Sequence, residues 1–190
     1  MKWMPRLATE EDVPALESLV PLSVRTLQAS HYSPAQMEAA LGPVFGVDRQ
    51  LIHDRTYYVV QAAEQLVGCG GWSKRRSLFG GDMARAEPDA ELDPKLEPAR
   101  IRAFFVHPDW ARQGIGRSIL AACEQEIRKR HFRRIDLVAT LSGEPLYGAF
   151  GYAQVQRYEI DLPGGLKLPV VRMTKDLVES SPVLTGRASA

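Results

Sequence analysis

Apolar residues follow two alternating rhythms along this chain. Val13, Leu16, Leu19, Val20, Val24 and Leu27 repeat at three- and four-residue steps, which predicts an amphipathic helix from the acidic start Thr9-Glu-Glu-Asp12 to about Ala29. Thr9 is placed to cap it, with Asp12 three residues on. Ile115, Ile119, Cys123 and Ile127 show the same spacing and predict the main second helix. Short runs rich in β-branched and aromatic residues lie between and after them. Trp3 to Ala8 reads as a strand, and 56–63 with 66–72, joined by Glu64-Gln65, as a hairpin. Ile101 to Val106, Ile135 to Ala139, Ala153 to Leu162 and Leu168 to Lys175 read as further strands, the last two joined by Pro163-Gly-Gly165. Ser33 can cap a short helix ending at Leu41, and another helical turn is expected near Gln50.

The stretch from 101 to 120 turns this pattern into chemistry. A strand stops at Pro108, a loop carries Gly114-Ile115-Gly116, and a helix begins. A helix start leaves backbone N–H groups without partners and carries partial positive charge. Glycines there let a ligand approach the backbone, so the unit is suited to an anion, most often phosphate. Arg112 and Arg117 add to that sign. The Gly-Lys-Ser/Thr ending of a P-loop is missing, as is the third glycine of a dinucleotide fingerprint. The generic signal is shared with ordinary turn chemistry, and a second segment is needed.

That segment is Ser142-Gly-Glu-Pro-Leu-Tyr-Gly-Ala-Phe-Gly-Tyr152. It reads as a short helix with Ser142 as N-cap, Pro145 in the first turn and Gly151 as the stop. Together the two segments resemble the GNAT superfamily of acyl-CoA-dependent N-acetyltransferases. The first is similar to its pyrophosphate loop, Q/R-x-x-G-x-G/A, and the second to its Tyr-x-x-x-Gly-Phe/Tyr signature. Ala111 stands where the loop usually has Gln or Arg, with Arg112 and Gln113 next to it. Ser142 stands where many relatives have an Asn that reaches the pantetheine arm.

The resemblance implies an α/β (α+β) GNAT fold, a mixed and mostly antiparallel seven-stranded sheet with about four helices. The sheet would open as a V between the fourth and fifth strands to hold acyl-CoA. It implies acetyl-CoA as co-substrate, no metal, and a primary amine as acceptor, attacked directly. Ala111, Arg112, Gln113, Gly114, Ile115, Gly116 and Arg117 would hold the pyrophosphate, Ser142 the pantetheine. The oxyanion donor would be a backbone N–H near Phe105 or Val106, and Tyr147 would protonate the leaving thiolate. A general base is not singled out; Glu91, Glu97 and Glu144 are candidates by position. His107, beside a proline, reads as a structural loop residue. His31, Tyr32, Trp72 and Arg76 lie in segments that would frame the acceptor pocket, although packing or surface roles suit them as well.

Bulk properties narrow the partners. The chain has 190 residues and a net charge of +1, consistent with one domain over 1–178 and a small, polar tail at 179–190 expected to be disordered. Near-neutral charge argues against nucleic acid or an anionic membrane, and against a protein- or tRNA-acylating enzyme with a basic groove. A regulatory acyl-CoA-binding module without turnover would keep Gly114 and Gly116 but not need Tyr147. Cys69 and Cys123 read as buried free thiols, and without a signal-peptide pattern the cytoplasm is the expected location. A homodimer is compatible with the sequence. Residues 74–98 form a long acidic insertion bracketed by Arg75, Arg76, Arg100 and Arg102. Strand alternation puts Arg100 and Arg102 on the face opposite Ala103 and Phe105. If those arginines point into the cleft, they favour a small amine bearing an acidic group.

Overall fold

The structure is a computed structural model that describes residues 3–80 and 90–177. The expected tail and the centre of the acidic insertion lie outside the described residues. In chain order the elements are β1 (Arg6–Leu7), α1 (Val13–Leu27), α2 (Pro34–Ala40), α3 (Arg49–His53), β2 (Tyr57–Ala62), β3 (Gln65–Ser73), β4 (Ala99–Val106), α4 (Ile115–Lys129), β5 (Arg134–Thr140), α5 (Glu144–Ala149), β6 (Ala153–Asp161) and β7 (Lys167–Asp176). Thr9 starts a 3₁₀ turn rather than α1 itself, and the Asp12 carboxylate accepts the Thr9 N–H at 2.9 Å. Ser33 caps α2 as its sequence predicts, with its Oγ accepting the Gln36 N–H.

The strands form one seven-stranded sheet in the order β1-β2-β3-β4-β5-β7-β6. Only β4 and β5 run parallel. A parallel pair needs a long crossover, and α4 supplies it. One face of the sheet is covered by α4, whose Ile115, Ile119, Cys123 and Ile127 are buried beside Trp72, Ile101, Leu137 and Tyr147. The other is covered by α1, α2 and α3 through Leu16, Val20, Met37 and Leu51. Trp72 therefore belongs to the core, where its ring packs edge-on against Phe132. Both cysteines are free and buried.

A bulge in β4 resets the alternation expected from the sequence. Cys69 stands opposite Phe105 but Gly71 opposite Arg102, so Ala103 and Phe104 share Gly70 as their partner. Ala103 takes a left-handed φ of 55° there. Arg102 and Ala103 consequently both face the α1–α3 side, whereas Phe104 turns to the α4 side against Tyr147. The expectation that Arg102 and Ala103 lie on opposite faces fails because a bulge inserts one residue into the two-residue repeat.

Gly70 is required by this arrangement, since a Cβ at that position would lie 2.6 Å from the Phe104 ring. Gly70→Ala should destabilise the protein by about 1–3 kcal/mol through overpacking. Chemical denaturation measures it, and an unchanged midpoint would contradict the packing described.

Candidate active site

Three residue pairs, from Ala99 with Ile135 to Ile101 with Leu137, hold β4 and β5 together. Beyond them the strands separate, and backbone groups that would have bonded across the sheet need other partners. Side chains from the α1 side supply some of them. Ser23 Oγ accepts the Val106 N–H at 3.2 Å. Tyr32 Oη accepts the Leu141 N–H at 3.0 Å and donates to the Pro169 carbonyl at 2.7 Å. Tyr32 is thus a buried brace between β5 and β7, and burial raises its pKa. The wedge left between the strands is a cleft of about 620 Å³, within the usual range for ligand sites.

The glycine loop forms one wall. His107 caps a 3₁₀ turn at Pro108–Trp110 through its Nδ1, as a structural loop residue should. Trp3 packs edge-on against Trp110 and donates to the Gln113 carbonyl at 2.9 Å, which fixes the loop from outside. Arg112 and Gly114 both adopt left-handed φ values, 63° and 89°. This double turn delivers the chain into α4 with its first N–H groups uncommitted to helical partners. Ala111, Arg112, Gly114, Ile115, Gly116 and Arg117 line the cleft; Gln113 does not. Gly116 lies under α5, where a Cβ would be 3.2 Å from Leu146.

The opposing wall carries Tyr147. Its ring is buried edge-on between Phe104 and Tyr152, at 6.1 and 5.8 Å between centroids. Burial raises its pKa well above the ordinary tyrosine value, with Cys123 adding to the shift. Tyr147 lines the cleft, and its hydroxyl has no hydrogen-bond partner among the described residues. Ser142 also lines the cleft, but it is not the N-cap of α5. That position falls to Gly143, and the Ser142 hydroxyl lies 3.2 Å from Thr140 Oγ1, which also accepts the Gly143 N–H. The short turn after β5 consumes the residue that would otherwise have capped.

The α1–α3 side of the cleft, its second lobe, is lined by Leu27, Gln28, Phe45, Phe79, Ile160 and Val170. Sequence reasoning had no local signal for these residues, which come from five separate segments. Arg102 reaches the lobe, but its guanidinium is committed: Nη2 lies 2.7 Å from Asp48 Oδ2, Nη1 donates to the Ser77 carbonyl at 3.3 Å, and the Gly80 carbonyl is bonded too. Arg100 instead pairs with Asp136, which also receives Arg172.

The three candidate bases are elsewhere. Glu144 pairs with Arg157, Glu91 with Lys74 and Glu97 with Arg76. Arg75 is held by Asp54 in a two-pronged pair. Arg76 is exposed, and His31 is exposed at the α1–α2 turn. No acidic or histidine side chain lines the cleft among the described residues.

The chain belongs to the acetyltransferase (GNAT) domain family, whose model matches residues 28–175. Solved structures share the fold at low identity. A GCN5-related N-acetyltransferase from Rhodopseudomonas palustris is 20% identical with a TM-score of 0.68, covering 93% of this chain and 97% of its own. A phosphinothricin acetyltransferase from Sinorhizobium meliloti, in complex with acetyl-CoA, is 17% identical with a TM-score of 0.61, covering 93% and 89%. A ribosomal-protein-alanine N-acetyltransferase from Brucella melitensis is 17% identical with a TM-score of 0.60, covering 92% and 99%. These relatives differ in acceptor, so the fold does not choose one. No curated protein sequence matches the chain. Among the described residues no helix is long and apolar enough to cross a membrane.

The Arg102–Asp48 pair is fully enclosed, with 1% and 0% of the side chains exposed. Arg102→Ala should cost about 3–5 kcal/mol of stability by leaving a buried carboxylate without its cation. Urea denaturation measures this, and a change below 1 kcal/mol would show that Asp48 is readily solvated.

Proposed function

We propose that the protein transfers an acetyl group from acetyl-CoA to the primary amine of a small molecule by direct attack. The observation that carries this reading is the meeting of two features in one cleft: the glycine-bearing N-terminus of α4 on one wall and the buried Tyr147 phenol on the other. The α4 amides would take the pyrophosphate, with Arg112 and Arg117 beside them. Gly114 supplies the left-handed turn and Gly116 the thin backbone next to Leu146.

The amine nitrogen attacks the thioester carbon, a C–N bond forms, and the carbonyl oxygen takes up negative charge. Val106 suits the oxyanion better than Phe105. His107 donates to Val67 of the neighbouring strand, so by alternation Phe105 also faces β3, while the Val106 N–H faces the wedge with a single side-chain acceptor, Ser23. The C–S bond then breaks and the thiolate receives the Tyr147 proton; the proton lost from the attacking nitrogen returns through water in the cleft to the Tyr147 phenolate, leaving an acetamide, free CoA and the phenol restored. Burial keeps that proton on the phenol until it is needed. The amine must first be neutral. An amine of pKa ~10.4 is disfavoured by about 4 kcal/mol at pH ~7.4. With no carboxylate among the described lining residues, water in the cleft would carry that proton away.

Gly116→Glu should abolish acetyl-CoA binding in calorimetry, because a carboxylate would repel the pyrophosphate where the backbone now admits it. Unchanged affinity would sink the assignment. Tyr147→Phe should leave acetyl-CoA affinity intact and lower kcat by roughly 10²–10⁴-fold; an unchanged kcat would remove Tyr147 from the mechanism. A raised pKa keeps the phenol protonated at every pH below its ordinary value of about 10. The wild-type pH profile should therefore show no alkaline loss from Tyr147 below that pH. A descending limb near pH 8 that disappears in Tyr147→Phe would contradict this.

A further inference from the structure

Resting on the acetyl transfer proposed above, we infer that the acceptor is an amine on an apolar body without a carboxylate, such as an arylalkylamine, oriented by the Gln28 side chain. The second lobe is walled by aliphatic and aromatic groups. Phe45 and Phe105 stand edge to face at 6.2 Å along one side, and Leu27, Phe79, Ile160 and Val170 complete it. Such a surface gains from burying hydrocarbon and loses from burying an unpaired charge.

The lobe's one cation among the described lining residues is Arg102, and it cannot serve as an anion clamp. Its charge is balanced by Asp48 within the protein, and two carbonyls take further N–H groups. A substrate carboxylate arriving there would compete with a completely buried carboxylate already in place. The role of Arg102 is positioning: it ties the segment before α3 and the 77–80 segment to β4, and so shapes the lobe. A polyamine fares no better. Its second ammonium needs an anionic partner, and no acidic side chain lines the cleft among the described residues.

Gln28 supplies the polar contact that an apolar amine requires. It is 7% exposed, it lines the cleft, and its Oε1 is buried with no hydrogen-bond partner among the described residues. Its backbone is already used, with the N–H bonded to Val24 and the carbonyl accepting from His31 and Tyr32. A buried amide oxygen left unpaired is costly, and the deficit is removed by a ligand that brings a donor. An amine N–H is such a donor. Sharing it with Gln28 would place the nitrogen at the C-terminal end of α1, the helix whose Ser23 meets Val106.

The test uses acceptors that differ by one group. Wild-type protein is first titrated with acetyl-CoA by calorimetry, then assayed for CoA release with phenethylamine, phenylalanine and spermidine. Phenethylamine should exceed both others by roughly 100-fold in kcat/KM. Gln28→Leu should raise KM for phenethylamine about ten-fold, the cost of one hydrogen bond, with unchanged acetyl-CoA affinity and an unchanged or higher melting temperature. Should turnover be too slow to compare, saturation-transfer NMR on the CoA-loaded protein should detect phenethylamine and not phenylalanine. Acetyl-CoA binding combined with a preference for phenylalanine or spermidine, with no phenethylamine binding, or with a Gln28→Leu variant that matches wild type overturns this inference alone. Failure of the wild type to bind acetyl-CoA overturns the acetyl-transfer reading and this inference with it.

Discussion

Two parallel strands that pair for three residues and then part leave the backbone with an accounting problem, because buried N–H and C=O groups must find partners. Much of this molecule is arranged around that divergence of β4 and β5. Ser23 on α1 accepts the Val106 amide, and Tyr32 beyond the end of α1 bridges Leu141 to Pro169. The α1–α2 segment is therefore more than a cover for one face, since its side chains replace hydrogen bonds the sheet gives up. The bulge at Ala103 belongs to the same device. It shifts the register of β4 on β3 and turns Phe104 onto Tyr147.

Glycines set how closely the other parts approach the wedge. Gly68 on β3 lies directly under Ile115, the first residue of α4, and a Cβ there would collide with that side chain. Gly116 is less tightly constrained, since a Cβ there would lie 3.2 Å from Leu146 of α5. The α4 N-terminus is thereby held against the open edge of β4, where an anion is best stabilised by its free amides. On the far side the enclosed Arg102–Asp48 pair ties the segment before α3 to β4. The two sides of the cleft therefore differ in kind: one carries Arg112, Arg117 and the α4 N-terminus, the other is apolar, with the Gln28 amide oxygen unpaired among the described residues.

The elements and both motifs were legible because their signals are local. Helical spacing marked α1 and α4, runs rich in β-branched and aromatic residues on either side of Pro163-Gly-Gly165 marked β6 and β7, and the order of glycine loop and Tyr147 segment carried the family. Two local readings failed for equally local reasons. Ser142 bonds Thr140 instead of capping α5, and one inserted residue in β4 turned Arg102 toward Asp48. What the sequence could not disclose were pairings between distant segments. Ser23 with Val106, Tyr32 with Leu141 and the place of Gln28 in the cleft depend on where α1 lands on the sheet. Of the described acids of the insertion, Glu91 and Glu97 are bound to Lys74 and Arg76.

The central claim is that the β4–β5 wedge is where the thioester lies, with the α4 N-terminus and Val106 as backbone donors. Residue-resolved amide spectra of the isotope-labelled protein, recorded before and after saturation with acetyl-CoA, address it directly. The account predicts large shifts and slowed exchange at Val106, at the amides of 112–117 and at 142–147, with the outer strand β6 unaffected. Shifts centred elsewhere, or a Val106 amide that does not respond, would contradict it.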